Sequence, residues 1–389
     1  MRIPARPTMA DVAAAAGVGM GTVSRVVNGG VNVRESTRRR VEAVIERLGY
    51  RPSHLAAALS RGTSRTVAIL VPYLTRPASV ARLAGALSVL AEQRYQTIVC
   101  IVETPGQLDH HLAELTVRHR ADGVIAVSVP LGEEHVAAFR RGSVPIVAVD
   151  TVVAGVPQTT ARDVAGGQLA AGHLLSLGHQ RIGFIGDLIS KQELPFTSSK
   201  LRMRGYRREL TSAQIRFDPR LVRLGAHSAA AAAELASQLL TMRDPPTAIF
   251  AASDTQAMGV LRAAERCGFA VPAMLSVIGF DDIESSALLD LSTIHQPLEH
   301  SGAEGARRLC TLLAGSRVRP LRQQLPLRLV KRASTGPLPG RSGGSRPHLL
   351  SAGAGGRARE RSQAGPPAGR RPLDTRFTRH SSRHVEGGM

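Results

Sequence analysis

The chain of 389 residues contains no tryptophan, and Phe, Trp and Tyr together make up only 3% of it. Its cores must therefore be built from Ala, Val, Leu and Ile, and a 43% hydrophobic content supplies enough of them for a globular protein. Cysteine is scarce as well. Cys100, Cys267 and Cys310 are odd in number, far apart and outside any CxxC spacing, which excludes a disulfide framework and a cysteine-based zinc site. No apolar run is long enough to span a bilayer. Met9 to Val18 is interrupted by Asp11 and lacks the continuous apolar core of a secretion signal. There is no P-loop, HExxH, GxSxG or strand-following GxGxxG, so no cofactor, no metal and no catalysis are expected. Gly166-Gly167 reads as a helix-start pair, and His110-His111, without carboxylates at metal spacing, as solvated histidines.

Acidic residues are the next shortage: 30 Asp and Glu face 50 Lys and Arg, for a net charge of +20. The excess sits at the ends, with eleven arginines against four acids in residues 1–65 and ten against three in residues 336–389. This points to a polyanionic partner at the N-terminus. The tail is rich in Gly, Pro, Ser and Arg without apolar periodicity, a composition that cannot offset the entropy of ordering; it is expected to be disordered and is read as inert or as a source of non-specific DNA affinity.

What is present reads in blocks. Thr8 is an N-cap with Asp11 three residues on, and a short helix runs from there to Gly17, a glycine suited to a left-handed C-terminal turn. A second helix follows across Thr22–Val27. A third, Ser36 to Leu48, carries Val41, Val44, Ile45 and Leu48 on one face and stops at Gly49. After the break at Arg51-Pro52, Ser53–Leu59 is helix-capable but too short to be stable alone. From Thr66 onward, short β-branched runs alternate with helical stretches: residues 67–71, 97–102, 123–127, 146–149, 181–185, 248–251 and 275–280. Seven such runs exceed one ordinary sheet, so the expected core is α/β, with two doubly wound parallel-sheet subdomains facing a cleft. The division is a helix-turn-helix head over 1–50, a hinge helix and linker over 51–63, a core over 64–335 and a basic tail over 336–389. Within the core one subdomain takes residues 66–162 plus 296–324, and the other 163–295 plus 325–335.

The head phrase Met9-Ala10-Asp11-Val12-Ala13…Ala16-Gly17-Val18…Thr22-Val23-Ser24-Arg25-Val26-Val27-Asn28, continued by Val33…Thr37-Arg38…Val41…Leu48-Gly49-Tyr50…Pro52, resembles the lactose-repressor (LacI/GalR) family of bacterial transcription regulators. Weaker phrases follow at Ala121-Asp122-Gly123, Gly178-His179, Arg202…Gly205-Tyr206, Pro246–Ala251 and Val277–Asp282, so the resemblance runs from about Thr8 to Thr335.

The resemblance implies a cytoplasmic, nucleoid-associated homodimeric repressor whose second helices enter the major grooves of a pseudo-palindromic operator on double-stranded DNA. Met20, Gly21 and Thr22 would face base edges, with Ser24 and Arg25 one turn along; Arg25 forks onto a guanine or pairs with phosphate. Thr8, Asn28, Asn32 and Arg34 complete the expected DNA contacts of the head. In the hinge, Leu59 matches the leucine that wedges into the minor groove, and Leu55 packs hinge to hinge. Gly19 stands where the family has a capping serine, and Ala57 where it has an arginine.

The core resembles periplasmic sugar-binding proteins and implies a small-molecule effector, a sugar or sugar derivative, read by Arg202 and Asp281 with Tyr73, Ser79, Asp150, Ser253 and Gln296. The family's aromatic pair beside a proline is replaced by Pro77-Ala78-Ser79. The alternative is an effector-independent DNA-binding protein with a degenerate core. No membrane partner is expected.

Overall fold

The computed structural model describes residues 7–338 except 28, 31, 51–62, 118–119, 189–193 and 195. Asn28, Leu55, Leu59 and the tail beyond 338 lie outside the described residues.

Three helices build the head: α1 (Met9–Ala16), α2 (Met20–Val27) and α3 (Glu35–Leu48). The start of α1 is a reciprocal cap. The Thr8 amide donates to Asp11 Oδ2 at 2.7 Å, and the Asp11 amide donates to Thr8 Oγ1 at 3.3 Å. Gly17 and Gly49 end α1 and α3 at φ +63° and +62°, a region in which a Cβ is strained. Val12, Ala13, Ala16, Val23, Val26, Val41, Val44 and Tyr50 bury one small core between the helices.

The core begins with β1 (Thr66–Val71), α4 (Pro77–Glu92), β2 (Gln96–Ile101), α5 (Pro105–Leu115), β3 (Gly123–Val127), α6 (Glu133–Arg141), β4 (Ile146–Val149) and β5 (Gln158–Ala161). It continues with α7 (Asp163–Ser176), β6 (Ile182–Asp187), α8 (Ser198–Ser212), β7 (Val222–Gly225), α9 (Ala229–Leu240), β8 (Ala248–Ala251), α10 (Asp254–Arg266), β9 (Ser276–Asp281), α11 (Glu284–Leu288) and β10 (Ser292–His295). Last come α12 (Leu298–Leu313), β11 (Arg322–Leu325) and β12 (Arg328–Val330).

Two six-stranded sheets result, ordered β11-β5-β4-β3-β1-β2 and β12-β10-β9-β8-β6-β7. Every pairing is parallel except β10 with β12. The chain crosses between the sheets three times: after β5, after β10, and between β11 and β12. The central strands are buried on both faces, as parallel sheets flanked by helices require.

The strands β5 and β11 carry no hydrophobic run in sequence, because Gln158-Thr159-Thr160 and Arg322-Gln323-Gln324 are held by pairing at the end of the sheet. Gly166-Gly167 does not merely open a helix. A Cβ on Gly167 would strike the carbonyl of Arg202, so the pair lets α7 and α8 cross at backbone contact.

Candidate functional site

Two surfaces carry the chemistry. On the head, Gly19 and Met20 begin α2 at the exposed end of the helix. The Gly19 carbonyl accepts from the amides of Thr22 at 2.9 Å and Val23 at 3.3 Å. Met20 is 58% exposed; Gly21 and Arg25 are exposed, and Thr22 and Ser24 are half-buried. Val23 and Val26 turn the other face into the head core. The loop after α2 is tied back by Arg38, whose guanidinium donates to the Gly30 carbonyl at 2.6 Å, leaving Asn32 and Arg34 exposed. This is an unencumbered helix end of the size that fits a major groove. Thr8 differs from the others: its hydroxyl is engaged with Asp11, at 2.7 Å, as the cap of α1.

In the core, a narrow cleft opens at the carboxyl ends of the strands of both sheets. Four of the residues singled out in the sequence line it together: Ser79, Asp150, Arg202 and Asp281. Arg202 is 5% exposed; its Nε donates to Asp163 Oδ1 at 2.9 Å and its NH1 to the Ala252 carbonyl at 2.6 Å, with Asp281 Oδ1 at 3.4 Å. The guanidinium lies over the Phe280 ring, 3.7 Å from its centre. Burial opposes its charge, but Asp281, Asp163 and Asp150 outweigh burial and hold its pKa above the ordinary value. Burial in turn pushes Asp281 and Asp163 up, with Arg202 opposing.

Three other sequence candidates stand elsewhere. Ser253 faces inward as the N-cap of α10, its Oγ accepting from the Gln256 amide at 3.2 Å. Tyr73 stands behind the cleft wall, where Arg76 stacks on it at 4.4 Å and on Phe196 at 4.5 Å. Gln296 lines a smaller hollow that shares Arg82 and Asp150 with the cleft.

Sequence reasoning missed Arg82, Ser128, Asp187 and His227, all on the cleft wall. His227 Nδ1 lies 2.9 Å from Asp187 Oδ1, and Gln256 donates to the same oxygen at 3.0 Å. Burial works against the Asp187 carboxylate, but His227, Arg76 and Arg202 hold its pKa below the usual range. Arg82 did carry a signal, since it falls among Ser79, Leu83, Ala86, Val89 and Leu90 on the buried stripe of α4. An arginine on an apolar stripe needs a partner, and Asp150 Oδ1 is 2.9 Å from its NH2.

Strained backbone gathers at the same place. Ser128, Asp150, Asp281 and Asp282 have φ of +53°, +61°, +117° and +60°, each just past or at the end of a strand that points into the cleft. Such residues cost about 1–3 kcal/mol apiece and persist where the surrounding structure fixes them.

Residues 8–53 match the profile of bacterial regulatory proteins of the lacI family, and residues 171–335 that of a periplasmic binding protein-like domain. Catabolite control protein A of Priestia megaterium is 31% identical over 332 residues, covering 84% of this chain and 99% of that protein. The chain belongs to the LacI family. The HTH-type transcriptional repressor PurR of Aliivibrio salmonicida is 32% identical over 76% of this chain and 89% of its own length. Among solved structures, the lac repressor dimer bound to operator and the anti-inducer ONPF superposes with a TM-score of 0.75 at 32% identity, over 85% of this chain and all of that one. A LacI family regulator from Enterococcus faecium with bound ribose gives 0.62 at 28% identity over 70% of this chain and 99% of its own.

This LacI-family chain is thus a DNA-binding transcription regulator and not an enzyme, with the head of the family on a sensor core of two subdomains. Regulators of this family act in the cytoplasm. No helix among the described residues is long and apolar enough to cross a membrane.

Proposed function

We propose that this chain is a homodimeric, nucleoid-associated repressor of a pseudo-palindromic operator, released by a sugar or sugar derivative that binds between the core subdomains. The observation that carries this reading is the polar cleft, lined from both subdomains, on the same chain as an exposed α2. Met20, Gly21, Thr22, Ser24 and Arg25 read the groove, with Asn28, Asn32 and Arg34 on phosphates; Leu55 and Leu59 act in the hinge. Ser79, Asp150, Arg202 and Asp281 hold the effector. A ligand bridging the cleft favours the closed arrangement of the subdomains and so biases the hinge, which a ligand touching one subdomain cannot do.

The test is fluorescence anisotropy of the full chain on DNA from upstream of its own gene, with and without D-ribose, D-glucose and D-gluconate. Specific binding weakened by one of them is expected. Specific binding that none of them alters favours the effector-independent alternative, and absence of specific binding overturns both.

A further inference from the structure

The two sheets are built in the same order, and this equates their parts. In β11-β5-β4-β3-β1-β2 and β12-β10-β9-β8-β6-β7, β1 occupies the place of β6, and β4 that of β9. The helix after β1 is α4 and the helix after β6 is α8. Arg202 sits on α8, opposite Asp281 at the end of β9. By the same topology Arg82 sits on α4, opposite Asp150 just past β4.

The local build is the same as well. Arg82 is followed three residues on by Gly85, and Arg202 by Gly205. A Cβ on Gly85 would strike the carbonyl of Glu299 in α12, and one on Gly205 that of Val164 in α7. In return, a Cβ on Gly302 of α12 would strike the carbonyl of Arg82, and one on Gly167 of α7 that of Arg202. Each arginine is therefore seated by a glycine-to-glycine helix crossing, and each is buried, at 3% and 5% exposure.

We propose that Arg82 is a second ligand-reading arginine of this regulator, paired with Asp150 as Arg202 is paired with Asp281, so that the cleft grips a neutral polyhydroxylated ligand at both ends. The inference rests on the effector-controlled reading of the cleft and adds a residue and a ligand class to it. An arginine beside a carboxylate offers one hydroxyl both a donor and an acceptor, so two such pairs read hydroxyls at opposite ends of a small molecule. The wall sets Arg76, Arg82 and Arg202 against Asp150, Asp187 and Asp281, so its charges balance, and it offers paired donors and acceptors to a neutral ligand rather than an unanswered cation to an anion. Phe196 lines the cleft with Arg76 against one face of its ring, so the polar pairs supply most of the recognition.

Two further observations bear on Arg82. Its Nε is buried and meets no acceptor among the described residues, a costly state for a guanidinium with no further task. Its NH2 donates to Gln296 Oε1 at 3.2 Å, and Gln296 Nε2 donates to Asp281 Oδ1 at 2.6 Å. The two pairs are joined across the crossover after β10, so a ligand at one is felt at the other.

The test measures binding of D-ribose, D-glucose, D-gluconate and glucose 6-phosphate by titration calorimetry to the full-length chain and to its Arg82→Met and Arg82→Lys variants. Anisotropy of each unliganded protein on the upstream DNA serves as the control for folding. A neutral sugar is expected to bind the parent chain and to bind both variants at least tenfold more weakly, with DNA affinity unchanged. Should Arg82→Met lose DNA binding, Arg82→Lys decides, because a point charge cannot bridge Asp150, Gln296 and a hydroxyl together. Sugar binding by the variants equal to that of the parent overturns the role of Arg82. Binding of gluconate or glucose 6-phosphate in preference to the neutral sugars overturns the ligand class. If no probe binds, the two-ended grip is overturned, while specific DNA binding by the same protein leaves the regulator reading standing.

Discussion

At the scale of single residues, Arg202 couples the stability of the fold to the site proposed for the effector. Its guanidinium answers two buried carboxylates and a buried carbonyl, at 2.9 Å to Asp163, 3.4 Å to Asp281 and 2.6 Å to Ala252. Replacing it by methionine keeps most of the volume but leaves Asp163 and Asp281 buried without their cation. Breaking a buried pair on one side costs about 3–5 kcal/mol. Arg202→Met is therefore expected to lower the urea midpoint of the full chain clearly as well as to abolish any sugar response. A variant that loses the response at unchanged stability would show that the acids do not depend on Arg202.

Asp254 makes a different statement at the same scale. Burial, reinforced by Asp281, pushes its carboxyl up to about 7, against hydrogen bonds from Thr293, Ser286 and the Ile283 amide. A folded pKa above the unfolded value of 3.8 means that the folded chain binds the extra proton between pH 4 and 7. Its stabilising contribution is full below that window and lost as pH rises through 7. Between pH 5 and pH 8 this one group removes about 2–3 kcal/mol. Urea unfolding of the parent and of Asp254→Asn at both pH values checks it: the parent should lose ground to the variant at pH 8, and a pH-independent difference would refute the shift.

At the scale of elements, the legible parts were those whose signal is local. The Thr8–Asp11 cap, the left-handed Gly17 and Gly49 and the β-branched runs of β1, β3, β4 and β9 could be read because each element's own residues determine it. The polar strands β5 and β11 could not, since parallel pairing at the sheet end creates them. The cleft divides in the same way. Arg202 and Asp281 were found through a family likeness, whereas Arg82 needed α4 to be seen as a buried stripe, and His227 needed the loop before α9 to be placed beside Asp187.

The helix crossings set the positions of both arginines, so a methyl group placed there should be felt at the cleft. Gly167→Ala drives a Cβ into the Arg202 carbonyl, where only backbone can yield. Overpacking of this kind costs about 1–3 kcal/mol. We expect Gly167→Ala to melt earlier than the parent and to bind sugar more weakly while keeping its DNA affinity. Gly268→Ala, whose Cβ would meet nothing but whose φ is +75°, is the control for a loss of stability without any effect at the cleft.

At the scale of the whole molecule, the residues that lead to the two charged ends are anchored on different sheets of the core. The chain enters from the head at Ser64 and Arg65, whose amides donate to Asp122 at 2.7 Å each, at the amino end of β1. It leaves at Leu338, whose amide donates to the Leu177 carbonyl at 2.8 Å; the segment before it is held by His179 and Ser276, at the amino ends of β6 and β9. The two sheets meet the cleft by their carboxyl ends, and Ser64 and Leu338 are anchored at amino ends of strands in different sheets. Ten tail arginines engaged on DNA would add up to about nine to the slope of log affinity against log salt. A tail that follows a segment anchored on the other sheet from the one Ser64 meets is expected to add little of that. Truncation after residue 339 should leave operator affinity within about twofold and the salt slope unchanged. A slope that drops by several units on truncation would mean that the tail reaches the operator despite its root, and that the +20 charge of the chain works as one DNA-binding surface rather than two separate ends.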